Sequence, residues 1–179
     1  GINEKGQVVG SSTTFNGEGR AFLYSNGSMK DLGTLVGGKW SVAYGINNRG
    51  QVVGSSDVPD SFLGYYPYNA FLYSDGSMKD IGTLDGRGNK TDAYGINDHE
   101  QVVGSSSFGY NIRHHAFLYS NGTMRDLSID DYKNTYAYGI NNHGQVVGQR
   151  ISSWDLTGGS AFLYSNTVRD LNDFINKDS

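Results

Sequence analysis

The chain repeats one short sequence four times, and this repetition constrains its fold more than any other feature. The repeat is clearest at residues 45–56, which read Gly-Ile-Asn-Asn-Arg-Gly-Gln-Val-Val-Gly-Ser-Ser. Related segments begin at Gly1, Gly95 and Gly139, so the four starts lie 44, 50 and 44 residues apart. A fixed period of this length is typical of propellers and solenoids, in which one supersecondary unit covers its apolar faces by stacking on copies of itself.

Each copy contains four short segments of strand-forming residues joined by turns. Three copies carry Asn-Gly or Asp-Gly between the third and fourth segments, which predicts type I′ hairpins. The fourth copy has Asn166 without the glycine, so its hairpin is expected to be looser. Glu100 replaces the glycine that the other copies carry in the turn between the first two segments. This predicts a non-glycine residue with a positive φ, which is strained.

The third segment of every copy reads Ala-Phe-Leu-Tyr, and it predicts how the sheets pack. Successive side chains of a strand point to opposite faces, so both faces of this segment are apolar or aromatic. A sandwich strand usually buries one face, whereas a blade stacked between two neighbours buries both. We therefore predict an all-β fold, a β-propeller-like array of four four-stranded antiparallel blades. The array is either a closed four-bladed ring or an arc of a larger propeller.

This interpretation treats residues 1–179 as a single repeat domain. The blades are expected at approximately 1–36, 37–86, 87–129 and 130–179. Phe71, Phe117 and Phe162 of the third segments should be almost fully buried. Truncation of Phe22 should be less damaging than truncation of the other three, because the first blade lacks the residues that would precede Gly1. Since the chain begins inside a repeat, we expect it to be a processed product or part of a longer protein.

Composition narrows the possible partners. The net charge is −4 without charge runs, which argues against binding to nucleic acid or to an anionic membrane surface. No apolar run approaches the roughly 18 residues of a membrane helix, so membrane insertion is not expected. The chain has no cysteine, which removes disulfides and thiolate metal sites together. No zinc spacing, phosphate loop or nucleophile-base pair appears, so we expect neither a cofactor nor a metal.

The ordered blocks of each copy resemble a known family. The first copy contains Gly-Ile-Asn, Gly-Gln-Val-Val-Gly-Ser-Ser, Ala-Phe-Leu-Tyr-Ser and Met-Lys-Asp-Leu-Gly-Thr-Leu, and identical or related blocks follow in the same order in the other copies. This pattern resembles the HAF family of probable extracellular bacterial repeats. His115 opens the one intact His-Ala-Phe tripeptide, and Arg20, Asn69 and Ser160 stand at its place in the other copies. The resemblance implies a location in the extracellular space or cell envelope of a bacterium, and it brings no catalytic motif.

A candidate binding face comes from the connections in which the copies differ most. The second copy carries an insertion at residues 57–68, restricted by Pro59 and Pro67, and it is rich in aromatic residues. Aromatic rings on loops held by a rigid scaffold often form binding faces, although each ring could instead cover the core beneath its own loop. The candidate ligand-binding residues are Phe62, Tyr65, Tyr66, Tyr68, Trp40, Tyr110 and Trp154. Shortening the insertion is expected to abolish binding and to leave folding nearly intact.

Two functions remain open. The first is an extracellular or cell-surface recognition or adhesion module that binds a glycan, a peptide or a surface polymer. The alternative is a propeller enzyme, a hydrolase or lyase acting on a polysaccharide or another extracellular substrate, with a site assembled from several blades. The missing catalytic set favours binding. An enzyme would be favoured by convergence of these carboxylates at one mouth of the axis: Asp57, Asp60, Asp130, Asp131 and Asp155.

Other polar residues are expected to be structural. A basic-acidic pair such as Lys79-Asp80 recurs in every copy, so it should make hydrogen bonds between blades or at a turn. His114 and His115 are adjacent, and in an extended chain they point to opposite faces and cannot share one ion. If the four blades do not close into a ring, self-association is expected.

Overall fold

The computed structural model describes residues 1–59, 67–86, 90–108, 113–128, 133–152 and 159–174. Within these ranges, short antiparallel strands dominate, and a single turn of 3₁₀ helix follows the last of them at Leu171–Phe174. The strands are β1 (Val8–Thr13), β2 (Gly19–Ser25), β3 (Ser28–Asp31), β4 (Ser41–Ile46), β5 (Val52–Asp57), β6 (Tyr68–Ser74), β7 (Ser77–Gly82), β8 (Thr91–Ile96), β9 (Val102–Phe108), β10 (Arg113–Ser120), β11 (Thr123–Asp126), β12 (Lys133–Ile140), β13 (Val146–Ser152), β14 (Gly159–Ser165) and β15 (Thr167–Asp170).

Each sheet joins strands that are consecutive in the sequence. The orders are β1-β2-β3, β4-β5-β6-β7, β8-β9-β10-β11 and β12-β13-β14-β15, and we call these sheets blades 1 to 4. The predicted all-β array of antiparallel blades is confirmed. Blade 1 differs in having three strands, because Ile2 makes only an isolated bridge to Val8 where the other blades have their innermost strand.

The turns follow the glycine pattern of the sequence. Asn26, Asp75 and Asn121 have φ values of 51°, 53° and 51°, each before a glycine that also has a positive φ, as type I′ hairpins require. Glu100 has a φ of 61°, which confirms the predicted strained position. The expectation for the fourth hairpin was wrong. Asn166, with a φ of 68°, stands alone between the paired residues Ser165 and Thr167, so this turn is one residue shorter than the others.

The core lies between consecutive blades in three similar apolar layers. In each layer, one blade supplies a valine, an alanine and a leucine or isoleucine from what we call its forward face. The next blade supplies a valine, a phenylalanine and a tyrosine from its rear face. The forward faces supply Val9, Ala21 and Leu32; Val53, Ala70 and Ile81; and Val103, Ala116 and Leu127. The rear faces supply Val52, Phe71 and Tyr73; Val102, Phe117 and Tyr119; and Val146, Phe162 and Tyr164.

The phenylalanines confirm that both faces of an inner blade are covered. Phe71, Phe117 and Phe162 are 0%, 0% and 1% exposed, as predicted, whereas Phe22 of blade 1 is only half-buried. Burial of apolar surface stabilises by about 25 cal/mol per Å², so these layers are the main source of stability.

The four blades do not close into a ring. Strands of each blade pack against the next one, as β1 does against β4, β5 against β8 and β9 against β12. Among the described residues, no comparable packing joins blade 4 to blade 1. Val147 is accordingly 48% exposed, although its counterparts Val53 and Val103 are fully buried. Among the described residues the blades therefore form an open arc, which is the second of the two predicted arrangements.

Candidate binding site on the inner strands

The innermost strands of blades 2 to 4 carry a row of tyrosines. In β4, β8 and β12 the pairing with the next strand skips one residue, which is Tyr44, Tyr94 and Tyr138 respectively. Such a bulge leaves the residue out of the ladder and redirects its side chain. The ring centroids of Tyr44 and Tyr94 lie 5.4 Å apart, and those of Tyr94 and Tyr138 lie 5.6 Å apart. The bulges thus create a continuous aromatic row across three blades.

At the end of the inner strands with the tight turns, the four Gly-Ile-Asn segments surround a cavity of about 520 Å³. Asn47 illustrates which hydrogen bonds the asparagines that line this cavity make. Its Oδ1 accepts hydrogen bonds from the backbone N–H groups of Arg49 and Gln51, and its Nδ2 donates to Gln51 Oε1 and to the carbonyl oxygen of Asn97. Because these asparagines already satisfy each other and the turns, they hold the blades together and are weak candidates for ligand binding.

The opposite end of the inner strands carries a different set of side chains, centred on Asp92 of β8. Ser55 Oγ donates to Asp92 Oδ1 at 2.5 Å, and the carboxylate lies close enough to the hydroxyl of Tyr68 to help raise its pKa, after burial. Ser55 and Tyr68 belong to blade 2 and Asp92 to blade 3. The carboxylate therefore lies at the junction of two blades, where it accepts a hydrogen bond from Ser55 and faces Tyr68.

Aromatic rings surround Asp92 on both sides. Trp40 packs edge-on against Tyr68 with ring centroids 5.6 Å apart. On the other side, the Tyr136 ring stacks at 5.4 Å on His114 and at 6.2 Å on Tyr138. We call Trp40, Tyr68, Asp92, Tyr94, His114, Tyr136 and Tyr138, with Tyr44, the Asp92 cluster.

Burial controls the protonation of the cluster. It raises the pKa of Tyr68 and Tyr94 far above the usual tyrosine range, and the negative charge of Asp92 raises the pKa of both further. Burial also lowers the pKa of His114, assisted by the positive charge of Lys90 and opposed by Asp92. Near neutral pH the tyrosines are therefore protonated and His114 is neutral. The cluster offers hydroxyl groups, aromatic faces and one carboxylate.

The structure brings only part of the predicted binding face together. Trp40 and Tyr68 contact each other within the Asp92 cluster. The other predicted residues lie outside the described residues, and their role stays a prediction; they are Phe62, Tyr65, Tyr66, Tyr110 and Trp154.

The expectation that the insertion could be shortened with folding nearly intact stays a prediction, but the structure shows what the two ends of the insertion contribute. Asp57 is 9% exposed, and its carboxylate accepts hydrogen bonds from the backbone N–H groups of Lys39 and Trp40 at 2.7–2.9 Å. It also pairs in register with Tyr68, the first residue of β6. Both ends of the segment 57–68 are thus part of the sheet and of the connection before it.

Asp57 is one of the carboxylates that would favour an enzyme if they converged at one mouth of the axis. Its carboxylate already accepts hydrogen bonds from the backbone N–H groups of Lys39 and Trp40, so it is a poor catalytic group. The other four acidic residues proposed for an enzyme site, Asp60, Asp130, Asp131 and Asp155, lie outside the described residues. Among the described residues, no group of three histidine, aspartate or glutamate side chains is placed to hold a metal ion.

The repeated polar residues have the predicted structural roles. The ring of His115 contacts Asp126 at 2.7 Å, whereas His114 points to the other face and stacks on Tyr136, so the two histidines do not share a site. Lys30 Nζ donates to the hydroxyl of Tyr73 in the next blade at 2.8 Å. The basic members of two of the pairs, Lys30 and Arg125, therefore join neighbouring blades, as expected.

Apart from Trp40 and Tyr68, the residues of the Asp92 cluster were not predicted as site residues from the sequence. Tyr44, Tyr94 and Tyr138 recur at the same position of the repeat, which by itself indicates a structural role in a strand. One signal was present in the sequence. The residue two places before each of these tyrosines is Val42, Asp92 or Tyr136, so an otherwise uniform inner strand changes polarity from copy to copy.

Comparison with solved structures identifies the architecture. The chain has a β-propeller fold. The protein assigned as TolB in Agrobacterium tumefaciens superposes with a TM-score of 0.68 at 11% identity, over 96% of this chain and 63% of that one. The acylaminoacyl peptidase of Pyrococcus horikoshii gives 0.61 at 17% identity, over 96% and 27%. The β-propeller domain of the Trilobed protease from Pyrococcus furiosus gives 0.58 at 12%, over 97% and 52%.

These likenesses concern the fold alone, because the sequence identities are low. The chain spans less than two thirds of the length of each of these three proteins. No family model matches the sequence, and no curated protein matches it either. Within the part of the chain that the structure describes, no helix has the length and apolar character needed to cross a membrane.

Proposed function

We propose that this protein is a recognition module that binds a glycan at the Asp92 cluster. The observation that carries the proposal is a carboxylate at a blade junction that accepts a hydrogen bond from Ser55, faces Tyr68 and is flanked by aromatic rings. Ligand sites in proteins commonly combine apolar walls with a few convergent polar groups, and this cluster has both.

The chemistry of the cluster suits a polyhydroxylated ligand. Aromatic rings offer flat apolar faces for the C–H face of a sugar ring, and tyrosine adds a polar group at the edge of the ring. The carboxylate of Asp92 accepts strong hydrogen bonds from hydroxyl groups. Tyr44 and Tyr138 are 38% and 49% exposed, so a ligand can reach their rings without unfolding the site.

The described residues support binding better than catalysis. Hydrolysis of a glycosidic bond usually needs two carboxyl groups placed on either side of the bond. Within the described residues, Asp92 is the carboxylate whose negative charge acts on Tyr44, Tyr68, Tyr136 and His114. The carboxylate of Asp57 already accepts hydrogen bonds from backbone N–H groups. A single carboxylate among protonated tyrosines can orient a sugar, but it cannot act as both acid and base.

We further propose that the module acts outside the cell or in the cell envelope of a bacterium. The support is the resemblance of the four copies to the HAF repeats. A cell-surface polysaccharide is then the natural ligand to test. Phe62, Tyr65 and Tyr66 of the insertion are proposed to extend the contact surface from Tyr68.

The test is binding of the purified chain to a bacterial glycan array, followed by calorimetry with the polysaccharide that gives the strongest signal. Asp92→Asn keeps the size of the side chain and removes its charge. We expect it to weaken binding about tenfold or more, because hydrogen bonds to charged groups contribute about 1.5–3 kcal/mol.

Asp75→Asn is the matched control, because it makes the same substitution in an exposed hairpin where Asn26 and Asn121 stand in other blades. Its binding should equal that of the parent. Equal losses in both variants would argue against the Asp92 cluster as the site. Binding to peptides and to no glycan, with the same loss in Asp92→Asn, would keep the site and reject the ligand class.

A further inference from the structure

The forward face of blade 4 is a complete half of the interface that is used three times inside the molecule. Val147 occupies the position of Val9, Val53 and Val103, which are 3%, 0% and 0% exposed, yet Val147 is 48% exposed. Ala161 is likewise exposed, whereas its counterparts in the three other blades are fully buried. Val147, Leu163 and Gly139 border a shallow groove. This surface has the residues of an internal face, and none of the described blades covers it.

The rear face of blade 1 is the other half. Tyr24 is 40% exposed, whereas Tyr73, Tyr119 and Tyr164 at the same position are 6–7% exposed. Met29 is 57% exposed, although its counterpart Met78 packs against the layer between blades 1 and 2. Together with the half-buried Phe22, these side chains repeat the composition that blades 2, 3 and 4 present to the blade before them.

Polar groups of the two uncovered faces are complementary as well. Lys30 Nζ donates to the hydroxyl of Tyr73, and Arg125 Nη1 donates to the hydroxyl of Tyr164 at 3.0 Å, each across one internal interface. Arg169 is the corresponding cation on the forward face of blade 4, where it is exposed. Tyr24 is the corresponding acceptor on the rear face of blade 1.

The backbone leaves room for a neighbouring inner strand. A Cβ at Gly45 would lie 3.4 Å from the Cα of Gly95, and one at Gly95 would lie 3.4 Å from the Cα of Gly139, so consecutive inner strands meet at glycines. A Cβ at Gly139 would meet only Val147 of its own blade. As far as the described residues go, the space beyond Gly139 is thus open, whereas at each internal junction the next blade brings a glycine there.

We propose that the forward face of blade 4 binds the rear face of blade 1 in a second copy of this chain. Val147 and Leu163 of one copy then pack on Phe22 and Tyr24 of the other, and Arg169 donates to the hydroxyl of Tyr24. The contact is head-to-tail, so a pair of copies still has one free forward face and one free rear face, and growth continues until the geometry closes a ring. The same pair of faces already meets three times within the chain, so the internal interfaces show which residues should lie opposite each other between two copies.

The test uses sedimentation velocity of the intact chain over a wide range of concentrations. The average mass of the parent should rise with concentration. Val147→Asp should lose association by at least about tenfold, because the carboxylate is desolvated against an apolar face. Val36→Asp is the matched control, since Val36 is 95% exposed and outside both faces, and it should associate like the parent.

A mixing experiment tests the head-to-tail arrangement. Val147→Asp keeps an intact rear face, and Tyr24→Asp keeps an intact forward face. Each variant alone should stay monomeric, whereas an equimolar mixture should form dimers and no larger species. Circular dichroism checks that both variants are folded, and Arg169→Glu serves as a second forward-face variant because its side chain is exposed. A parent that stays monomeric at every concentration, or association unchanged in Val147→Asp and Arg169→Glu, would overturn the proposal.

Discussion

Asp126 shows how single residues hold each blade together. Its Oδ1 accepts the backbone N–H of Ser128 at 2.7 Å, and its Oδ2 contacts the His115 ring at 2.7 Å. In blade 2 the same bonds are made to Asp80, by the backbone of Gly82 and by the side chain of Asn69. His115, the histidine of the one intact His-Ala-Phe tripeptide, therefore forms a structural hydrogen bond between adjacent strands, and an asparagine forms the same bond in blade 2.

The hydrogen bonds to Asp126 should make the stability of the protein depend on pH. Burial raises the pKa of Asp126, but hydrogen bonds from His115 and Ser128 outweigh burial and leave the pKa below its ordinary value. The carboxylate thus contributes stability above its unfolded pKa, and this contribution is lost as the pH falls through the lower folded pKa. In urea titrations the parent should be more stable than Asp126→Asn near neutral pH, and the difference should shrink below pH ~4. A difference that stays constant into acid would show that the charge of Asp126 is not involved.

At the scale of strands, the inner bulge and the glycine opposite it act together. Gly104 of β9 faces the backbone of β8, and a Cβ there would collide with the carbonyl oxygen of Asp92. Gly54 and Gly148 face the equivalent carbonyl oxygens of Val42 and Tyr136. These glycines allow the innermost strand of each blade to lie close to the second strand. This close packing fixes the positions of Asp92 and of the row of tyrosines on the innermost strands.

Blade 1 provides a natural control for this close approach, because it lacks the innermost strand. A Cβ at Gly10 would meet only the ring of Phe22, at 3.1 Å. We expect Gly104→Ala to destabilise the protein by about 1–3 kcal/mol or more through overpacking, and Gly10→Ala to cost clearly less. Chemical denaturation of both variants measures the difference. Equal costs would mean that β8 can move away from β9 without penalty.

The sequence was sufficient to predict the elements but not the site. Ala-Phe-Leu-Tyr gave the two-faced third strand, and Asn-Gly or Asp-Gly gave the hairpins, because these signals are local. Asp92 instead acquires its role from Ser55 and Tyr68 of one blade and from His114 of its own blade, residues that no local pattern connects. The one-residue turn at Asn166 was also not predictable, because it depends on how β14 and β15 pair after the glycine is lost.

At the scale of the whole molecule, stability is distributed over three interfaces between neighbours. Repeat arrays of this kind are stabilised by each unit and by its contacts with adjacent units, so the two end blades are less buried than the inner ones. Whether four blades close depends on the rotation between successive blades. That rotation is set by side-chain packing within each layer, and the repeat period of the sequence does not contain it.

The phenylalanines of the third strands test this distribution directly. Phe117 is fully buried between blades 2 and 3, so Phe117→Ala should cost about 3–5 kcal/mol. At about 2–4 °C per kcal/mol for a chain of this size, the melting temperature should fall by roughly 6–20 °C. Phe22→Ala should cost clearly less in dilute solution, because Phe22 is half-buried on the rear face of blade 1.

Measurements at two protein concentrations separate the stability of the single chain from the stability gained by association with a second copy. When copies associate through the rear face of blade 1, Phe22 becomes part of an interface, and the cost of Phe22→Ala should rise towards that of Phe117→Ala. Thermal unfolding at low and high protein concentration measures both variants against the parent. A Phe117→Ala protein that melts within a degree or two of the parent would contradict the layered core. A Phe22→Ala protein as unstable as Phe117→Ala in dilute solution would show that blade 1 is already covered within a single chain.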